Sequence, residues 1–154
     1  MMEVKDIIKN LHRIVLCGIG NERRGDYGFG AYLAEALLRA IENPNFFPVN
    51  CHDIPEGQAG IIVRFRPELV IIATPLEMET GPGTVVAGDP WEALGDVPEE
   101  LKPQLEVTLN HLRETLPWTR FVFLGCQPGS EKKVTEEIKE CVRALALAFK
   151  DVVD

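Results

Sequence analysis

The sequence predicts an α/β fold: a three-layer sandwich in which helices cover both faces of a mostly parallel central sheet of about five strands. Two apolar runs, RIVLCGI and ELVIIAT, are continuous rather than alternating, which is typical of strands buried on both faces. Segments with apolar residues at helical spacing lie between these runs, and this alternation favours a parallel sheet. The length of 154 residues predicts a single domain, residues 1–154.

The individual elements follow from the same patterns in chain order. Strands are predicted at residues 14–18, 47–51, 69–74 and 121–125, with an antiparallel edge strand at residues 84–88. Helices are predicted at residues 3–12, 30–42, 57–65, 105–116 and 135–149. Thr135 is the expected N-cap of the last helix, since acidic residues follow it in the first turn. That helix has one apolar face, formed by Val134, Ile138, Cys141, Val142, Leu145 and Phe149.

Composition excludes several classes of function. A net charge of −8 argues against nucleic-acid binding, which needs a basic face to neutralise phosphates. No apolar run approaches the roughly 20 residues of a membrane helix, and the N-terminal residues do not resemble a secretion signal. The four cysteines lack C-x-x-C spacing, so we expect buried, reduced thiols in three strands and one helix. The predicted location is the cytoplasm, without membrane insertion.

The glycine-rich loop between the first strand and the next helix, LCGIGNERRGDYGFG, is the most informative segment. It does not match a dinucleotide fingerprint, because Arg23 occupies the position of the third glycine, and it lacks the Gly-Lys-Ser/Thr ending of a P-loop. An unrelated flavodoxin-like binder would need phosphate contacts that this loop does not supply. In a parallel sheet the site lies at the carboxyl ends of the strands. Four loops should therefore meet there: residues 19–29, 52–58, 74–83 and 126–133.

Several titratable residues on these loops are candidates for chemistry. Asp26 either points into the shared cleft or caps the helix that begins near Gly28. The carboxylates Glu22, Asp26 and Glu77 are candidate metal ligands, and such a set would favour hard cations. His52 lies at a strand end but has no sequence partner at ligand spacing. His111 falls within a helical pattern, where an exposed histidine is expected.

The motifs resemble those of a known family. VLCGIGNERRGDYGFGAYLAEAL resembles the opening motif of the hydrogenase maturation proteases, endopeptidases that remove the C-terminal tail of nickel–iron hydrogenase large subunits. Six residues match in place: Gly18, Gly20, Asn21, Asp26, Gly28 and Gly30. LVIIATPLEMETGPGTV, FVFLGCQPGS and TEEIKECVRAL are similar to later segments of the family, in the same order.

The resemblance implies a hydrolase that processes a hydrogenase large-subunit precursor and so activates another enzyme. It implies an aspartic-type endopeptidase with metal-dependent recognition, in which Asp26 is catalytic. The implied substrate-binding residues are Gly20, Asn21, Glu22, Tyr27 and Thr74. No tightly bound cofactor is expected, and nickel would be carried by the substrate.

The sequence departs from the family at its metal-ligand positions. The three positions that hold nickel in the family fall on Tyr27, Thr74 and, by a gapless count, Pro103. Neither a neutral tyrosine nor a threonine hydroxyl is a competitive ligand for a divalent transition metal, and proline has no side-chain donor. The alternative is therefore a divergent family member that binds a hydrogenase subunit or another partner peptide without cutting it. Tyr27 and the apolar PLEM segment would suit such a peptide contact.

Overall fold

The computed structural model describes residues 4–154, which form one five-stranded sheet. The strands are β1 (Ile14–Ile19), β2 (Phe46–His52), β3 (Leu69–Pro75), β4 (Val85–Gly88) and β5 (Arg120–Cys126). Their order across the sheet is β2-β1-β3-β5-β4; only the edge strand β4 is antiparallel to its neighbour. Each predicted strand is present, and Pro48 lies on the edge strand β2, where its missing N–H is tolerated.

Helices cover both faces of the sheet, which confirms the predicted fold class. The α-helices are α1 (Val4–Ile8), α2 (Phe29–Ala40), α3 (Ala59–Phe65), α4 (Pro90–Ala93), α5 (Lys102–Thr115) and α6 (Glu136–Val153). Short 3₁₀ turns occupy Glu22–Gly28, Pro55–Gln58 and Leu94–Asp96. Among the residues from 4 to 154, no helix is both long and apolar enough to cross a membrane.

The core consists of two apolar clusters, one on each face of the sheet. On one face α1, α2 and α6 pack against the sheet, with Phe29, Leu37 and Phe149 fully buried. On the other face α3 and α5 do the same, with Ile62 and Leu109 fully buried. Successive strand residues point to opposite faces, so a strand between two helical layers must be apolar throughout. This explains why the runs at β1 and β3 do not alternate.

Two local predictions need correction, and a third is confirmed by position only. The first helix ends at Ile8 rather than residue 12, because Lys9 takes a left-handed conformation with a φ of 52°; the predicted start at residue 3 lies outside the described residues. The segment 57–65 divides into a 3₁₀ turn and α3. Thr135 is the N-cap of α6 by position, but its side chain makes no capping bond to the helix.

The four cysteines form two neighbouring pairs of free thiols. Cys17 on β1 and Cys51 on β2 are buried, with their Sγ atoms 2.7 Å apart. Cys126 on β5 and Cys141 on α6 have Sγ atoms 3.6 Å apart, and Cys141 is partly exposed. The hydrogen bond to Cys51, with burial, raises the pKa of Cys17. The hydrogen bond between Cys126 and Cys141 raises the pKa of Cys126 and lowers that of Cys141.

We expect Cys141 to be the first cysteine that iodoacetamide alkylates in the folded protein. The thiolate is the nucleophile, so a lowered pKa and partial exposure favour Cys141. Cys17 and Cys126 should stay unmodified until the protein is unfolded. Peptide mass spectrometry over a labelling time course at neutral pH measures this order, and Cys141→Ser should remove the fast phase. Equally fast labelling of Cys17 would contradict the expectation.

Candidate functional site

The glycine-rich loop leaves β1 at the carboxyl edge of the sheet and is held by its own backbone and side chains. The N–H of Asn21 donates to the carbonyl of Tyr27 at 2.9 Å, and the Asn21 side chain accepts from the N–H of Arg23 at 3.0 Å. The N–H of Gly20 donates to the carbonyl of His52 at 2.9 Å, which joins this loop to the end of β2. The loop is therefore a fixed structure rather than a flexible connection.

Asp26 is fully buried, and both of its carboxylate oxygens accept hydrogen bonds from the segment that leads into α6. Oδ2 accepts from the N–H groups of Gly129 at 2.8 Å and Ser130 at 3.0 Å, and from the Thr135 hydroxyl at 2.9 Å. Oδ1 accepts from the N–H of Thr135 at 2.7 Å. This geometry does not favour the predicted catalytic role, because the carboxylate is fully buried and both of its oxygens are already hydrogen bonded to the segment before α6. The alternative that Asp26 caps the helix beginning near Gly28 is also wrong, since the donors to its carboxylate belong to Gly129, Ser130 and Thr135 and not to the first turn of α2.

Tyr27 and Glu77 connect the glycine-rich loop to the loop after β3. The Tyr27 hydroxyl donates to Glu77 Oε2 at 2.8 Å, and the guanidinium of Arg24 lies 4.4 Å from the centre of the Tyr27 ring. Arg24 also pairs with Glu100 and Glu131. Burial, followed by the hydrogen bond to Glu77, raises the pKa of Tyr27. The phenol is therefore neutral at physiological pH and acts as a donor.

The residues at the three family metal positions do not fit a nickel ion bound by this protein. Tyr27 is a protonated phenol already bonded to Glu77. Thr74 is only 1% exposed, and its hydroxyl donates to the carbonyl of Pro75. Pro103 lies in the first turn of α5 and has no donor atom. The buried position of Thr74 also does not favour its predicted contact with a substrate.

The carboxylate set proposed from the sequence is not assembled either. Glu22 pairs with His52, Asp26 is enclosed by the loop before α6, and Glu77 accepts from Tyr27. Over residues 4–154, no group of three or more His, Cys, Asp or Glu side chains is placed to hold a metal ion. The three carboxylates therefore serve separate local contacts.

A hollow of about 530 Å³ opens beside the glycine-rich loop. Its lining includes three predicted substrate-binding residues, Gly20, Asn21 and Glu22, together with His52 at the end of β2 and Ile54 from the loop that follows. Glu22 Oε1 pairs with Nδ1 of His52 at this hollow. No partner for His52 was predicted from the sequence because Glu22 lies 30 residues away. The available signal was that His52 ends β2 and Glu22 closely follows the end of β1, and that these two strands pair in parallel.

Gln127, in the Gln-Pro segment after β5, holds the loop that follows β3. Its side-chain Oε1 accepts from the N–H of Met78 at 2.6 Å, and its carbonyl accepts from the N–H of Gly83 at 2.9 Å. These contacts were not predicted from the sequence. They show that the Gln-Pro motif orders a neighbouring loop, which places Glu77 within reach of Tyr27.

Comparison with known proteins agrees with this architecture, although no family model matches the chain. The NiFe hydrogenase maturation protease HycI from Thermococcus kodakarensis is 31% identical, with a TM-score of 0.85 and a match covering 97% of each chain. The endopeptidase HycI from Escherichia coli is 26% identical, with a TM-score of 0.66, covering 87% of this chain and 86% of that one. A protein from Methanocaldococcus jannaschii named as a hydrogenase maturation protease is 25% identical over 143 residues, 87% of this chain and 84% of its own length.

The fold and site define an α/β protein with an open hollow at the carboxyl edge of a parallel sheet, beside a Gly-x-Gly-Asn loop. Within that class, the chain belongs to the hydrogenase maturation protease family, because it is 31% identical to a member over nearly its whole length. The family resemblance predicted from the motifs is confirmed.

Proposed function

We propose that this protein is an endopeptidase that removes the C-terminal extension of a nickel–iron hydrogenase large-subunit precursor. The observation that carries the proposal is the match to HycI of T. kodakarensis, a NiFe hydrogenase maturation protease, over 97% of both chains. The partner is therefore a folded precursor protein with an extended tail. The relatives are named as proteases and endopeptidases, which supports proteolysis over the alternative of a partner-binding protein that does not cut.

The hollow beside the glycine-rich loop supports a polypeptide as the ligand. It is open to solvent, so a peptide can approach the residues that line it. Gly20 and Asn21 line it, and the side-chain NH2 of Asn21, which the bonds described above do not use, can donate to an extended peptide. Ile54, which is 52% exposed, offers an apolar contact. We assign substrate contacts to Gly20, Asn21 and Glu22.

Nickel, in this proposal, belongs to the substrate. The side chains at the family's ligand positions supply no competitive nickel donor, as described above. Recognition of a nickel-loaded precursor would then rest on the shape of the subunit around its metal rather than on a protein-bound ion. No step of the proposed hydrolysis requires a ligand from Tyr27, Thr74 or Pro103.

The proposal is tested with the purified full-length protein and a nickel-loaded large-subunit precursor. We expect mass spectrometry to show loss of the C-terminal tail, with a single new chain end on the mature subunit. A precursor without its tail serves as the control and should not change in mass. A stable complex in which the tail remains intact after extended incubation would overturn proteolysis in favour of the binding-only alternative.

A further inference from the structure

The pairing of Glu22 with His52 has the geometry of an oriented imidazole base. A carboxylate only accepts hydrogen bonds, so Nδ1 of His52 carries the hydrogen that is shared with Glu22 Oε1. In the neutral ring this leaves the lone pair on Nε2. Within the described part of the chain, no hydrogen bond to Nε2 is formed. The His52 side chain is 58% exposed, so Nε2 is accessible from the hollow that it lines.

The backbone holds His52 in a conformation that local preferences disfavour. Its φ is 51°, in the left-handed region that is uncommon for residues other than glycine, although histidine enters it more often than most side chains do. The register between β1 and β2 shifts at this point, so Ile19 pairs with His52 across an irregularity of the ladder. The N–H of His52 donates to Oδ1 of Asn50 at 3.0 Å, and its carbonyl accepts from Gly20. Such outliers and bulges persist where the surroundings fix them, and they concentrate at functional sites.

We propose that His52 is the general base of peptide hydrolysis in this protein, with Glu22 as the residue that positions it. This inference rests on the proposed endopeptidase function, and it supplies the catalytic group that the absent family ligands and the enclosed Asp26 do not. The hollow brings the dyad, the amide of Asn21 and the backbone of Gly20 to one surface where a scissile peptide can bind.

The proton and electron movements balance without any further reactant. Nε2 of His52 takes a proton from a water molecule while the water oxygen attacks the scissile carbonyl carbon, and the carbonyl π electrons move onto oxygen. Collapse of the tetrahedral intermediate breaks the C–N bond. The proton on Nε2 passes to the leaving nitrogen as this bond breaks, so that a neutral amine departs, and the electrons on the oxyanion re-form the carbonyl of the new carboxyl end. Glu22 keeps the ring in the required tautomer and stabilises the imidazolium while it exists.

The test compares single-turnover cleavage of the nickel-loaded precursor by wild type, His52→Gly, His52→Asn and Glu22→Gln. Glycine is well suited to the φ of 51°, and asparagine also tolerates that region, so both variants should fold. We expect the cleavage rate constant of both His52 variants to fall about 100-fold or more, with precursor affinity within about twofold of wild type. Added imidazole should restore part of the rate of His52→Gly, but not that of Glu22→Gln.

His111→Asn is the matched control, since His111 is an exposed histidine on α5, distant in sequence from the dyad. It should cleave at the wild-type rate. If wild type cuts and the His52 variants cut equally fast, the dyad is overturned while the proposed function stands. Loss of precursor affinity with an unchanged rate constant also overturns it and makes the dyad a binding contact. A wild type that leaves the tail intact overturns the proposed function and the dyad together.

Discussion

Replacing Gly30 with alanine is expected to destabilise the protein so strongly that only a minor fraction of it folds. A Cβ at this position would lie 2.1 Å from the carbonyl oxygen of Ala73, 2.2 Å from that of Ile19 and 2.4 Å from the nitrogen of Ile19. All three atoms belong to the backbone of β1 or β3, so no side-chain rotation relieves the overlap. We expect a loss of at least about 4 kcal/mol in the free energy of unfolding, a large share of the stability of a typical domain. Denaturant unfolding, or soluble yield, measures it.

Gly60→Ala is the matched control, because Gly60 is also the second residue of a helix, α3. The nearest atom to a Cβ there is Arg64 Nη1 at 3.8 Å, an ordinary contact. Alanine should stabilise the protein by about 0.5–1 kcal/mol, since it lowers the entropy of the unfolded chain. If Gly30→Ala were as stable as Gly60→Ala, the close approach of α2 to the strand ends would be wrong.

Replacing Asp26 with asparagine is expected to destabilise the protein by about 3–5 kcal/mol. The carboxylate accepts four hydrogen bonds within a fully buried site, from Gly129, Ser130 and two groups of Thr135. Hydrogen bonds to a charged group contribute about 1.5–3 kcal/mol each, although they are not additive. The amide of asparagine would turn one acceptor into a donor that faces other donors. Chemical denaturation followed by circular dichroism gives the difference.

Two further variants distinguish a structural role of Asp26 from a catalytic one. Asp151→Asn changes an exposed aspartate on α6 and should leave the free energy of unfolding almost unchanged. Thr135→Val removes only the hydroxyl donor to the Asp26 carboxylate and should cost about 1.5–3 kcal/mol, less than Asp26→Asn. If Asp26→Asn kept wild-type stability and lost cleavage, the carboxylate would be catalytic, as the family resemblance implies. Normal cleavage by the folded fraction would establish the structural role.

The motif residues of the glycine-rich loop illustrate how far sequence patterns reach. Their spacing predicted a strand, a tight loop and a helix, and each is present. It did not predict the reason for the glycines, which is that Gly18 and Gly30 face each other, with a Cβ on Gly18 only 2.1 Å from the carbonyl oxygen of Gly30. The pattern also singled out Asp26 as a residue of the motif. It could not predict the hydrogen-bond partners of the carboxylate, because Gly129 and its neighbours lie more than 100 residues away in the chain.

The sequence by itself determined the layer architecture, the parallel sheet with its antiparallel edge, and the family. These features follow from the periodicity of apolar residues and from local turn chemistry, which depend on near neighbours in the chain. Only the tertiary structure decided which polar side chains meet: Asp26 with the segment before α6, Tyr27 with Glu77, and Glu22 with His52. Such contacts depend on which strand ends converge and on which rotamers the packing allows. Both are set by residues far apart in the chain, so no periodic pattern in the sequence reports them.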